Sequence, residues 1–175
     1  MLGLAYLEEN FRTVRKNTIL IAEDIPADKY SFVAAPGVKS VGELLAHLAV
    51  APHWQMSLHR EGTSAIDFAM LAARAAKLKA EEQALQTKEQ IVAALKDGSE
   101  QFTEFLARLT PELLKETVSF ASPMQPPVKS RFEMLLSLKE HEMHHRGQLM
   151  LIQRMLGIVP HLTRQREAFA AQARS

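Results

Sequence analysis

The stretch Glu140-His141-Glu142-Met143-His144-His145-Arg146-Gly147-Gln148-Leu149 holds three of the chain's seven histidines. A helix turns once in about 3.6 residues, so side chains four apart stack on one face. His141 and His145 have that spacing, and the stripe runs on through Leu138, Gln148 and Ile152. This company predicts that the pair faces the interior of a bundle, where helical metal sites are built. Two stacked imidazoles are within reach of one ion. Ser130 and Glu133 form an S-x-x-E capping box before the stripe, and Gly157 and Pro160 follow it. These signals predict a helix from about Arg131 to Leu156. His144 lies roughly 60° around that helix from His141, given ~100° per residue. It reads as a group behind the ligands or as an interface residue.

Helical periodicity organises the chain outward from there. Leu4, Leu7, Phe11, Val14, Thr18 and Ile21 predict a first helix to about Glu23, which Pro26 ends. Residues 25–39 carry two prolines and Gly37, and read as a long ordered loop. Ser40 and Glu43 cap a second helix containing Leu44, Leu45, His47, Leu48 and Val50, with an expected kink at Pro52. It extends to about His59. Residues 61–86, helix-prone and alanine-rich from Ile66 to Lys79, are expected to be a loop followed by a short helix or excursion. Thr87 and Gln90 cap a third main helix with Ile91, Leu95, Phe102, Phe105, Leu106 and Leu109, weakened by Gly98. Thr110-Pro111-Glu112 looks like a fresh helix start. Residues 119–129 hold three prolines and read as loop, and Thr163 to Arg174 as a short C-terminal helix. No alternating run suggests a sheet. The expectation is an all-α four-helix bundle, a single domain over 1–175.

Two imidazoles seldom complete a metal site, so a third ligand should come from a facing helix. His47 lies among Leu44, Leu48 and Ala51 on an apolar face. A lone histidine there is more often a core residue with a hydrogen bond; the pair at 141 and 145 is what recommends it as a ligand. Three imidazoles with open positions suit Zn, Ni, Fe or Mn. His53, His59 and His161 read as surface groups. His141-Glu142-Met143-His144-His145 also matches H-E-x-x-H, the zinc-protease pattern in which the glutamate is the base. Charged Arg146 follows it, the H-x-x-G-x-x-H extension is missing, and no strand precedes it to bind a peptide, all of which argue against a protease.

The totals set wider bounds. Of 175 residues, 47% are hydrophobic and 23% charged, which is a globular balance. With 21 Lys plus Arg against 20 Asp plus Glu, the net charge of +1 lacks the basic excess usual for phosphate partners, so no nucleic acid is expected. There is no cysteine, which removes disulfides, thiolate ligands and a Cys nucleophile. Met1-Leu2-Gly3-Leu4-Ala5-Tyr6 has no basic leader, and no apolar run reaches the ~18 residues of a membrane span. A cytoplasmic protein with no membrane partner is expected.

Three stretches resemble the DinB/YfiT-like family of metal-binding four-helix bundles. They are Ile25-Pro26-Ala27-Asp28-Lys29-Tyr30 leading to Ala35-Pro36-Gly37-Val38-Lys39-Ser40, then Val41-Gly42-Glu43-Leu44-Leu45-Ala46-His47-Leu48-Ala49, and His141-x-x-x-His145-Arg146-Gly147-Gln148-Leu149 with Gly157 and Pro160 after it. The resemblance covers nearly the whole chain, least at residues 61–86. It implies a long crossover connection, one divalent ion on His47, His141 and His145, and often a homodimer. It also implies transfer of a small external thiol to electrophiles, or metal-dependent hydrolysis of a small ester or amide. A non-catalytic metal- or ligand-binding stress protein is the third reading. Glu142 and Gln148 are the candidates for a catalytic base or orienting group beside a small-molecule substrate.

Overall fold

A computed structural model of the protein describes residues 3–174; Met1 and Leu2 of the leader reading, and Ser175, lie outside the described residues. Six helices appear among them: α1 Leu4–Asp24, α2 Val41–Arg60, α3 Phe68–Ala84, α4 Lys88–Ala107, α5 Arg131–Met155 and α6 His161–Gln172. The caps lie where the local chemistry predicts. Ser40, Thr87 and Ser130 each accept from the third helical amide, while Glu43, Gln90 and Glu133 reach back to the cap. Each box satisfies two amides that have no partner inside the helix.

α1, α2, α4 and α5 form the bundle. One core cluster joins Ile21 and Ile25 to Leu44, Leu45, Leu48, Ile91, Leu95, Leu149 and Ile152. It therefore gathers the end of α1, the starts of α2 and α4, and the end of α5. A second cluster joins Leu7 and Phe11 to Met56, Phe102, Phe105, Leu106, Leu135 and Leu138, the opposite ends of the same helices. Hence α1 and α5 run one way, and α2 and α4 the other. α2 finishes at the end opposite to where α4 begins, so the chain must travel the length of the bundle between them. α3 makes that crossing. Its 17 residues span about 25 Å at ~1.5 Å each. It packs on α2 and buries none of its residues fully.

α2 runs through Pro52 to Arg60, close to the expected end at His59. A proline at 52 removes the amide that would bond the Leu48 carbonyl, and Arg15 Nη2 donates to that carbonyl instead, at 2.9 Å. Several expectations are corrected. A small sheet is present: β1 Ala65–Ile66 pairs parallel with β2 Thr117–Phe120, which pairs antiparallel with β3 Val128–Ser130. It closes the lower core through Leu58, Ile66, Val118 and Met134. Strands of two to four residues are too short to show alternation in sequence. Thr110-Pro111-Glu112 leads to a single 3-10 turn, Leu113–Lys115. His59 and His161 are buried rather than on the surface. His59 accepts from Arg131, and His161 bonds Asn17.

Candidate metal centre

Facing helices α2 and α5 bring His47, His141 and His145 together. His47 Nε2 stands 3.0 Å from His141 Nε2, and His145 Nε2 stands 3.1 Å from the same atom. All three ligand atoms lie within 4.8 Å of one another. The other ring nitrogens explain why these edges converge. His47 Nδ1 meets Glu82 Oε1 at 2.6 Å, and His145 Nδ1 meets Gln148 Oε1 at 2.8 Å. A carboxylate and an amide oxygen only accept, so each Nδ1 carries the proton and each Nε2 presents a lone pair. Lone pairs facing each other at ~3 Å repel unless a proton or cation lies between them. Corners of a tetrahedron ~2.05 Å from a central ion are about 3.3 Å apart, close to the observed spacing. The donor set therefore fits a divalent ion with three imidazoles and no fourth protein ligand among the described residues.

Electrostatics agree. Burial, and then the neighbouring rings, push His141 down to about 4. Burial also lowers His145, against the Gln148 hydrogen bond that raises it. Both rings are therefore neutral at physiological pH, the form that binds metal. Burial acts to raise the Glu82 carboxyl, but hydrogen bonds with His47 and Lys39 prevail and hold it below the ordinary carboxylate range. Glu82 Oε2 also takes Lys39 Nζ at 2.9 Å.

Glu82 is the group that sequence reasoning missed. It lies 35 residues from His47 on a helix with no buried stripe, and nothing local distinguishes it from a solvated carboxylate. Glu81 similarly meets His53 Nδ1 at 2.6 Å. Of the two expected catalytic groups, Gln148 lies behind His145 and also approaches His144 Nε2 at 3.4 Å. Glu142 is fully buried, and its carboxylate is taken by Arg15 rather than by any of the three imidazoles. Tyr30 lines the site's cleft but donates its hydroxyl to the Ala22 carbonyl at 2.8 Å.

Two hollows adjoin the centre and share His47 in their walls. A cleft of about 1010 Å³ has Lys39, Glu43, Lys79, Glu82 and Gln83 among its polar lining. A smaller pocket of about 330 Å³ is walled by Val50, Ala51, Trp54 and Leu138, with His47 and His141 on one side.

The family model of the DinB superfamily matches residues 10–149. The chain belongs to the DinB superfamily. An uncharacterised relative, YjoA of Bacillus subtilis (strain 168), is 27% identical over 148 residues, covering 85% of this chain and 87% of YjoA. The crystal structure of YjoA, a DinB-like protein, superposes with a TM-score of 0.64 at 24% identity, over 86% of this chain and 91% of that one. The colibactin self-resistance protein ClbS, solved in complex with a dsDNA, superposes with a TM-score of 0.66 at 16% identity, over 88% of this chain and 97% of ClbS. At these identities the two structures show a shared DinB fold. ClbS also overturns the expectation that nucleic acid is excluded. A bundle of this fold holds a duplex, and a net charge of +1 says nothing of how charge is distributed over a surface. No helix among the described residues is long and apolar enough to cross a membrane.

Proposed function

We propose that this DinB-superfamily protein holds one divalent ion on His47, His141 and His145 and uses it to transfer a small external thiol to an electrophile. The supporting observation is a three-imidazole centre, without a fourth protein ligand among the described residues, set between a polar cleft and an apolar pocket. A divalent ion held there would supply Lewis acidity and favour the anionic form of a bound thiol or water near neutral pH. The protein's own residues provide the setting. Glu82 and Gln148 fix the ring faces of His47 and His145. Lys39 and Lys79 give the cleft cationic groups for an anionic small molecule, and Val50, Trp54 and Leu138 give the pocket an apolar wall. With no cysteine in the chain, the thiol must come from outside.

The test is turnover of a small electrophile by protein loaded with Zn, Ni, Mn or Fe, with and without an added low-molecular-weight thiol. Turnover that needs both metal and thiol supports the transferase. Turnover of an ester or amide without thiol replaces it with a hydrolase. Metal uptake with no turnover, together with retention of a small ligand or a DNA duplex, replaces it with a binding protein.

We also propose a homodimer through the outer face of α5. Met143, Leu151 and Met155 are exposed there at four- and eight-residue spacing, with Gly147 between them and open space around it. Such a flat apolar strip is self-complementary across a two-fold axis.

A further inference from the structure

Arg15 lies fully buried in the bundle core, on a helix that supplies no metal ligand. Its guanidinium spans the three other bundle helices. Nε and Nη2 both meet Glu142 Oε2, at 3.0 and 2.9 Å, on α5. Nη2 also donates to the Leu48 carbonyl on α2 at 2.9 Å, and Nη1 to the Leu95 carbonyl on α4 at 3.3 Å. Leu48 is the residue after His47, and Glu142 is the residue after His141. One planar group thus grips the backbone beside one ligand and the side chain beside another, on the two facing helices that form the centre.

Stability does not account for this arrangement. Taking a guanidinium and a carboxylate out of water costs about as much as their attraction returns, and apolar replacements of such pairs are often neutral or stabilising. Here the cost is higher still, because Glu142 Oε1 is buried with no hydrogen-bond partner among the described residues. Pro52 makes the grip on α2 specific. It deprives the Leu48 carbonyl of its helical donor, so that this oxygen is free to face Arg15. Gly98 completes the fit: a Cβ there would stand 3.1 Å from the Ala49 carbonyl and 3.9 Å from Arg15 Nη1.

We infer that Arg15, with Glu142 and the Pro52-freed carbonyl of Leu48, is a positioning device that sets the separation and register of α2 and α5, and so holds the His47 and His141 rings at the spacing a single ion requires. This rests on the three-histidine reading. It gives Glu142 a role through Arg15, at a distance from any reacting atom.

The test is cobalt(II) titration, read by visible absorption, of wild type, His47→Ala, and the double variant Arg15→Met/Glu142→Leu, with thermal melts of each. The double variant removes both charges together but leaves the Leu48 carbonyl without its donor, so it is expected to fold with at most a modest loss of melting temperature while binding cobalt(II) at least ~10-fold more weakly, with a changed spectrum. A folded double variant with wild-type affinity and spectrum overturns the inference. If the double variant fails to fold, Pro52→Ala decides. Alanine at 52 supplies an amide to the Leu48 carbonyl in competition with Arg15 and favours the helix. A several-fold weaker affinity without loss of thermal stability supports the device, and unchanged affinity overturns it. Absence of cobalt(II) binding in wild type would instead remove the metal centre itself, and the inference with it.

Discussion

Each imidazole of the centre depends on what its second nitrogen touches. Glu82 holds His47 Nδ1 at 2.6 Å, and among the described residues no other carboxylate touches the three rings. Glu82→Ala is therefore expected to weaken metal affinity by about 10–100-fold, measured by calorimetric titration, because it frees the ring to rotate and lowers its basicity. His53→Ala, on a ring paired with Glu81 outside the trio, should leave affinity unchanged. A second residue-scale consequence concerns stability. Arg131 Nη1 donates to His59 Nδ1 at 3.1 Å, which puts the ring proton on Nε2, where it finds no partner among the described residues. Burial, and then the Arg131 charge, lower His59 from 6.5 to about 4. Above pH ~6.5 neither the folded nor the unfolded chain protonates this ring, so it adds no pH dependence. Between ~6.5 and ~4 only the unfolded chain takes up the proton, so stability falls as pH falls, by up to about 3 kcal/mol from this ring. Denaturant unfolding across that window should show a steeper loss for wild type than for His59→Phe. Parallel curves for the two would contradict the buried neutral ring.

At the scale of the elements, α4 can lie close to α2 because Gly98 has no side chain. A Cβ at that position would be 3.1 Å from the Ala49 carbonyl, and packed helical backbone cannot yield as a flexible side chain does. Gly98→Val is thus expected to cost about 2–3 kcal/mol, read from the shift in denaturation midpoint. An unchanged midpoint would show that the helices separate freely. How much of the architecture was legible in the sequence follows from the same physics. The bundle helices could be read because each buries a stripe and because Ser40, Thr87 and Ser130 cap three of them in reciprocal boxes. His141 and His145 could be read because four-residue spacing is itself geometry. α3 was legible only as a short helix, and its full 17 residues and its place along α2 were not, since a helix that buries none of its residues fully has no stripe to display. With α3 went Glu82, whose role exists only once α3 lies along α2. The pairing of Arg15 with Glu142 was hidden for a different reason: a charge on a helix reads as solvated, or as part of a site, until its partner, 127 residues away, is brought against it.

At the scale of the whole molecule, the crossing made by α3 lets α2 and α5 face each other while placing Glu82 and Glu81 against His47 and His53 of α2. The opposite side of α5 then faces outward with Leu151 61% exposed between Met143 and Met155. Leu151→Glu should shift the protein from dimer to monomer in sedimentation analysis without changing its metal affinity. A wild type that sediments as a monomer would remove the proposed interface. The claim on which the functional reading depends is the metal centre. Its most direct test is elemental analysis of tag-free protein, wild type beside His47→Ala and His141→Ala. About one divalent ion per chain, lost in both variants, is the result expected of three converging imidazoles. Wild type that carries no metal after reconstitution with Zn, Ni, Mn and Fe, or variants that keep a full equivalent, would contradict it.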